Sequence, residues 1–175
     1  MRIKETKIYH FEELTEDAKE KAVQNLYDIN VDTQWWDCTF EDAKMIGLKI
    51  TGFDIDRGAY CEGSFIDGAE DAANNSISEH GESCETYKDA ASYIKDRADL
   101  VKKYSDGVNL DIVAEGNEYD FDNDCDDLDS EFLKTILEDY RIILSKEYDY
   151  LTSNEAIINT IQANEYEFTE NGKLA

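Results

Sequence analysis

Ala18, Ala22, Leu26 and Ile29 recur at intervals of three and four, which predicts an amphipathic helix over residues 14–28, with Thr15 as its cap and Glu16 and Asp17 in its first turn. Trp36, Phe40 and Ala43 share a face in the same way and predict a second helix over 33–46, stopped by Gly47. The period then changes. Leu48, Ile50, Gly52 and Asp54 alternate with Lys49, Thr51, Phe53 and Ile55, and a second β-like run covers 59–66. With Asp56-Arg57-Gly58 between the two runs, the pattern predicts a hairpin closed by a glycine-containing turn.

Helical spacing is faint over 69–77 and clear over 85–104, where Tyr87, Ala91, Ile94, Ala98 and Val101 form a stripe. A short strand fits 108–113 and an acidic loop fits 115–130. Phe132, Ile136, Leu137, Tyr140 and Leu144 then mark a helix over 131–148. Ser153 caps a last helix running to Ala163, and Tyr166 to Thr169 lead into a turn at Glu170-Asn171-Gly172. The opening stretch, 2–10, is rich in Ile and reads as a strand. Together these elements predict an α+β fold in which a small antiparallel sheet, including the hairpin at 48–66, packs with several amphipathic helices.

At 175 residues the chain has the size of one domain, and 41% apolar content is too much for a disordered acidic tail. Residues 1–175 are therefore expected to form a single acidic domain. Proline is absent, no internal repeat is visible, and no apolar run approaches the roughly 20 residues of a membrane span. The first ten residues lack the apolar stretch of a secretion signal. Cys38, Cys61, Cys84 and Cys125 form no C-x-x-C pair and read as reduced thiols. The expected setting is a cytoplasm.

Charge changes the picture most. Asp and Glu number 42 against 17 Lys and Arg, a formal net of -25, far beyond the magnitude of about 2–8 that suffices for solubility. A salt-adapted proteome would give a similar surplus, but the preference for Lys and the abundance of Ile, Asn and Tyr look more like an AT-rich gene. The charge is also segregated. Residues 58–87 and 104–133 contain no Lys or Arg, so local ion pairs worth a few tenths of a kcal/mol each are forgone there. The first stretch supplies Glu62, Asp67, Glu70 and Asp71 as candidate contact residues. The second supplies Asp111, Glu115, Glu118, Asp120, Asp122, Asp124, Asp126, Asp127 and Asp129. A folded scaffold with carboxylates at this density fits a basic groove shaped for nucleic acid, which itself presents about one charge per 1.7 Å of duplex. The expected partner is a basic nucleic-acid-binding protein, with no direct binding of nucleic acid or membrane.

Three other chemistries are testable in the sequence. Asp120, Asp122, Asp124 and Glu131 occupy positions 1, 3, 5 and 12 of a calcium loop, but Cys125 stands where the turn needs glycine and Asp127 where an apolar residue belongs. A divalent-metal-binding loop over 120–131 is thus an alternative reading. His80 and Cys84 are the one nucleophile and base close in sequence, with Gly81 between them, and with only two histidines a catalytic or zinc site has little material. Gly58, Gly63 and Gly68 make no phosphate cradle. Trp35-Trp36 reads as a core anchor with one ring in and one partly out. No enzyme and no cofactor are expected.

Residues 11–22 (FEELTEDAKEKA), 52–61 (GFDIDRGAYC), 150–156 (YLTSNEA) and 164–172 (NEYEFTENG) together resemble a widespread group of small acidic phage and prophage proteins, some labelled antitoxin-like. The resemblance implies no particular functional residue. It implies a context, that of inhibitors of host defence such as anti-CRISPR and anti-restriction proteins, or alternatively of an antitoxin-like or regulatory protein for another basic partner.

Overall fold

The computed structural model describes residues 7–105 and 118–175, the side chains of 118 and 119 excepted. The expected strand over 108–113, together with Asp111 and Glu115, lies outside the described residues, as does the side chain of Glu118. The elements, in order, are β1 (Ile8–His10), a 3-10 turn (Phe11–Glu13), α1 (Glu16–Asn25), α2 (Asp37–Met45), β2 (Leu48–Asp54), β3 (Tyr60–Phe65), α3 (Ala69–Glu79), α4 (Glu85–Ser105), α5 (Glu118–Leu151), α6 (Asn154–Ala163) and β4 (Glu167–Thr169). The fold is α+β, with two antiparallel two-stranded sheets, β1 with β4 and β2 with β3. No helix among the described residues is long and apolar enough to cross a membrane.

The chain divides into two compact units, residues 1–35 with 145–175 and residues 36–144. In the first, β1 and β4 pair, Ile8 opposite Thr169 and His10 opposite Glu167. The Glu13 carboxylate accepts the His10 N–H at 2.8 Å and holds the entry to the 3-10 turn. Thr15 takes the N-cap backbone position of α1, but its hydroxyl makes no cap bond. Ser153 does cap α6 with its side chain, accepting the Ala156 N–H at 3.2 Å. Phe11, Leu14, Ala18, Ala22, Val23, Ile157, Ile161 and Phe168 close the core of this unit. The Phe11 and Phe168 rings meet edge to face at 6.1 Å.

The second unit is built on the predicted hairpin. Leu48 and Ile50 are buried side by side on one face of β2. Register then shifts between Ile50 and Gly52, and this bulge reverses the alternation. Phe53, which simple alternation puts opposite Leu48 and Ile50, therefore turns toward Trp36 and Phe40, with ring centroids 5.6 and 5.8 Å away. Gly58, at φ +85°, makes the turn. Asp54 fastens the turn by accepting the Asp56 N–H at 2.7 Å. Against the hairpin pack Ala43, Ile46, Ala73, Ala90, Tyr93, Phe132, Ile136 and Tyr140. Trp35 and Trp36 are both half-buried, the former against Tyr148 and the latter against Phe53.

The expected acidic loop over 115–130 is corrected by the structure, because α5 is helical from Glu118 onward. Phe121, Cys125, Leu128 and Phe132 lie at intervals of four, three and four and extend the apolar stripe of 131–148 upstream by three turns. Carboxylates near the start of a helix also sit at the favourable end of its dipole.

Candidate functional site

Helices α4 and α5 run antiparallel, and successive contacts step along both. Tyr93 stacks on Phe132 at 4.5 Å and donates to Asp129 at 2.7 Å. One turn further along α4, Arg97 reaches the same carboxylate at 3.2 Å. Further still, Lys103 and Tyr104 bind Asp124 at 2.9 and 2.7 Å, and the Tyr104 ring meets Phe121 edge-on at 5.4 Å. The apolar stripe of α5 thus faces α4. At 3.6 residues per turn, Asp120, Asp124, Asp127 and Glu131 line one flank of that stripe, and Asp122, Asp126 and Asp129 line the other.

The candidate carboxylates therefore divide into two kinds. Asp124 and Asp129 are half-buried and engaged by α4. The Lys103 and Tyr104 bonds hold the Asp124 carboxyl below the usual carboxylate range, and the same Asp124 bond raises Lys103. Burial, aided by the Asp129 bond, pushes the Tyr93 phenol up. Asp120, Asp122, Asp126, Asp127 and Glu131 are exposed. In the other acidic stretch, Glu62 on β3, Asp67 before α3, and Glu70 and Asp71 on α3 are exposed as well. Arg97 joins the two stretches, since its Nε donates to Glu70 at 3.0 Å while its Nη1 donates to Asp129. Helices α3, α4 and the first half of α5 thus carry carboxylates on both sides of the α4–α5 seam, with Lys103 holding Asp124 on one side and Arg97 holding Glu70 and Asp129 on the other.

From Asp120 to Glu131 there are seven carboxylates. At about 1.5 Å per residue these span about 18 Å, or one charge per roughly 2.5 Å, against one per roughly 1.7 Å for duplex nucleic acid. The calcium-loop alternative fails on this segment. Its ligands at positions 1, 3 and 5 must converge, whereas consecutive odd positions on a helix diverge by about 200°.

Along the same two helices lies a groove that sequence reasoning did not foresee. One part, of about 410 Å³, is lined by Asp96, Asp99, Leu100, Lys103, Asp124, Asp127, Leu128 and Glu131. It continues into a smaller part of about 170 Å³ that shares Asp96, Leu128 and Glu131 and reaches Asp89 and Thr135. Asp96 and Asp99 went unnoticed because Lys95, Arg97, Lys102 and Lys103 neighbour them in sequence and mask them in any count along the chain.

His80 is held by side chains from two other elements. Its Nδ1 lies 2.7 Å from Thr86 Oγ1 and its Nε2 3.5 Å from Asp42, whose other oxygen accepts the Tyr140 hydroxyl at 2.8 Å. Cys84 is exposed. Among the described residues no group of three or more His, Cys, Asp or Glu is arranged to hold a metal ion.

Compared with protein-family models, with curated proteins and with solved structures, the chain finds no match.

Proposed function

We propose that this chain is a phage-encoded inhibitor of a host defence protein, anti-CRISPR-like in mode, that occupies a basic nucleic-acid groove with the acidic surface of α3, α4 and α5. The observation that carries the reading is the set of exposed carboxylates Asp120, Asp122, Asp126, Asp127 and Glu131 on a single helix, one per roughly 3.6 Å of its axis, about half the charge density of duplex nucleic acid. Glu62, Asp67, Glu70 and Asp71 extend the array. Rigidity matters, because a helix locked by Arg97 and Lys103 presents its charge without the ordering cost a loop would incur. The protein acts in the cytoplasm by occupancy, with no reaction and no cofactor. The resemblance of its end segments and hairpin to small phage proteins supplies the biological setting.

The test is a salt-graded capture from host lysate followed by competition. Between about 0.05 and 0.5 M salt the Debye length shrinks from roughly 14 to 4 Å, so capture fades by orders of magnitude. The captured protein binds a fluorescent duplex or guide RNA, and added inhibitor displaces that nucleic acid. Salt-insensitive capture, a captured partner with no nucleic-acid site, or a gel shift of DNA by the inhibitor itself defeats the proposal, since a body at -25 repels phosphates.

A further inference from the structure

An all-charged surface would suffice to imitate a phosphate backbone, yet the groove between α4 and α5 has an apolar floor. Leu100 and Leu128 are half-buried there, with Tyr93 and Phe132 beneath its far end. Carboxylates stand on both rims, Asp96 and Asp99 from α4 and Asp127 and Glu131 from α5. Among the described residues that line it the one cation is Lys103, which Asp124 already holds. Measured along α4 from Asp89 to Lys103 the groove runs about 21 Å, or about four helical turns.

We propose that this groove receives a basic amphipathic helix of the partner protein, with an aliphatic stripe lying on Leu100 and Leu128 and Arg or Lys side chains reaching the carboxylates on either rim. The inference rests on the proposed function and names the element of the partner that the face grips. Its chemistry follows from complementarity. Apolar contact down the centre and opposite charge along both edges is the arrangement by which a groove takes a helix, with anchors repeating every three or four residues. Two packed helices also leave between them the shape into which a third helix fits, at an axis separation of about 8–10 Å. Nucleic acid is excluded as occupant because the rims repel it.

The probe is a synthetic peptide of about 14 residues with leucines every three or four positions and arginines flanking them, labelled for fluorescence anisotropy. At about 0.15 M salt it binds at least about tenfold more tightly than a scrambled peptide of identical composition, and serine in place of its leucines gives the same loss. On the protein, the triple variant Asp96→Asn/Asp127→Asn/Glu131→Gln weakens binding at least about tenfold. Neutralising as many exposed carboxylates in the other compact unit, Glu20→Gln/Glu155→Gln/Glu170→Gln, weakens it less than about threefold. Circular dichroism melting confirms that both variants fold. Equal binding of the intact and scrambled peptides, or equal losses in the two triple variants, overturns the groove while leaving the charge-based function standing. If no basic peptide binds even at about 0.05 M salt, the function and the groove fall together.

Discussion

Glu70 and Asp129 lie on two sides of one guanidinium, with Arg97 Nε 3.0 Å from Glu70 Oε2 and Nη1 3.2 Å from Asp129 Oδ1. The residues are 59 positions apart and belong to separate stretches that contain no cation of their own. Arg97 is mostly buried, and Asp129 also takes the Tyr93 hydroxyl, so removing the guanidinium leaves two carboxylates and a phenol facing one another. Arg97→Met is expected to lower stability by about 2 kcal/mol in urea unfolding, whereas Glu70→Gln, at the more exposed end, loses less than about 1 kcal/mol.

The exposed and the engaged carboxylates of α5 respond to neutralisation with opposite sign. Asp122→Asn, Asp126→Asn and Asp127→Asn combined, all beyond the first turn of α5, raise the melting temperature at low salt by relieving like-charge repulsion, and the gain shrinks as salt is added. Asp124→Asn lowers it, because it breaks the bonds to Lys103 and Tyr104. A scan of single and combined variants at two ionic strengths measures both.

Asp139 makes stability depend on pH. Among the described residues no hydrogen-bond donor reaches its buried Oδ2, and burial first, then a hydrogen bond shared with Asp89 and the charges of Asp89 and Glu85 on α4 and of Glu138, push the carboxyl up to about 7. A carboxyl whose folded pKa lies above its unfolded value takes up a proton on folding. Its contribution is complete at pH below about 4 and is lost as pH rises through about 7. The melting temperature therefore falls between about pH 5 and 8, and Asp139→Asn flattens that slope by raising stability at the alkaline end, which differential scanning calorimetry measures.

Two glycines at positive φ separate backbone strain from crowding. Gly172 sits at φ +74° with the space of a Cβ already taken by the Ala18 carbonyl of α1, whereas Gly58 sits at φ +85° facing open space. Gly58→Ala is expected to cost about 1 kcal/mol from strain alone, and Gly172→Ala at least twice that, since backbone must move. Chemical denaturation of the two variants compares them.

The four thiols divide into a fast and a slow pair. Cys38 and Cys84 are exposed. Burial, with Glu138 and Glu62 nearby, pushes Cys61 up to about 11, and Cys125 is buried and also raised. Titration with a chromogenic disulfide at about pH 8 releases two equivalents quickly and the rest only on unfolding.

Most of the architecture was legible because its signals are local. The hairpin, the stop at Gly47, the cap at Ser153 and the stripes of α1 and of α5 beyond Phe132 all rest on residues within a turn or two of one another, whereas the face expected for α4 is one position off: Thr86, Ala90 and Tyr93 are buried, and Ala98 and Val101 are exposed. What escaped was non-local or outweighed. The bulge that redirects Phe53 depends on strand register, which no alternation count contains. The start of α5 carried its stripe in plain view, at Phe121, Cys125 and Leu128, but the aspartates between them have low helix propensity and suggested a loop. Helix packing overrides that preference, and the dipole favours it. In the candidate site, the two acidic stretches stood out, but their union at Arg97 and the carboxylates contributed by α4 needed the antiparallel pairing of α4 with α5.

The pairing of Ile8 with Thr169 sets a timetable for the ribosome. At about 5–20 residues per second, the interval between these two strands takes roughly 8–30 s to synthesise. During that time the hairpin and its helices are fully translated, while Phe11, Leu14 and Val23 have neither Ile157 and Ile161 nor Phe168 to cover them. The segment around Phe11 thus waits, with its apolar side chains uncovered, until residues 157–168 have been made.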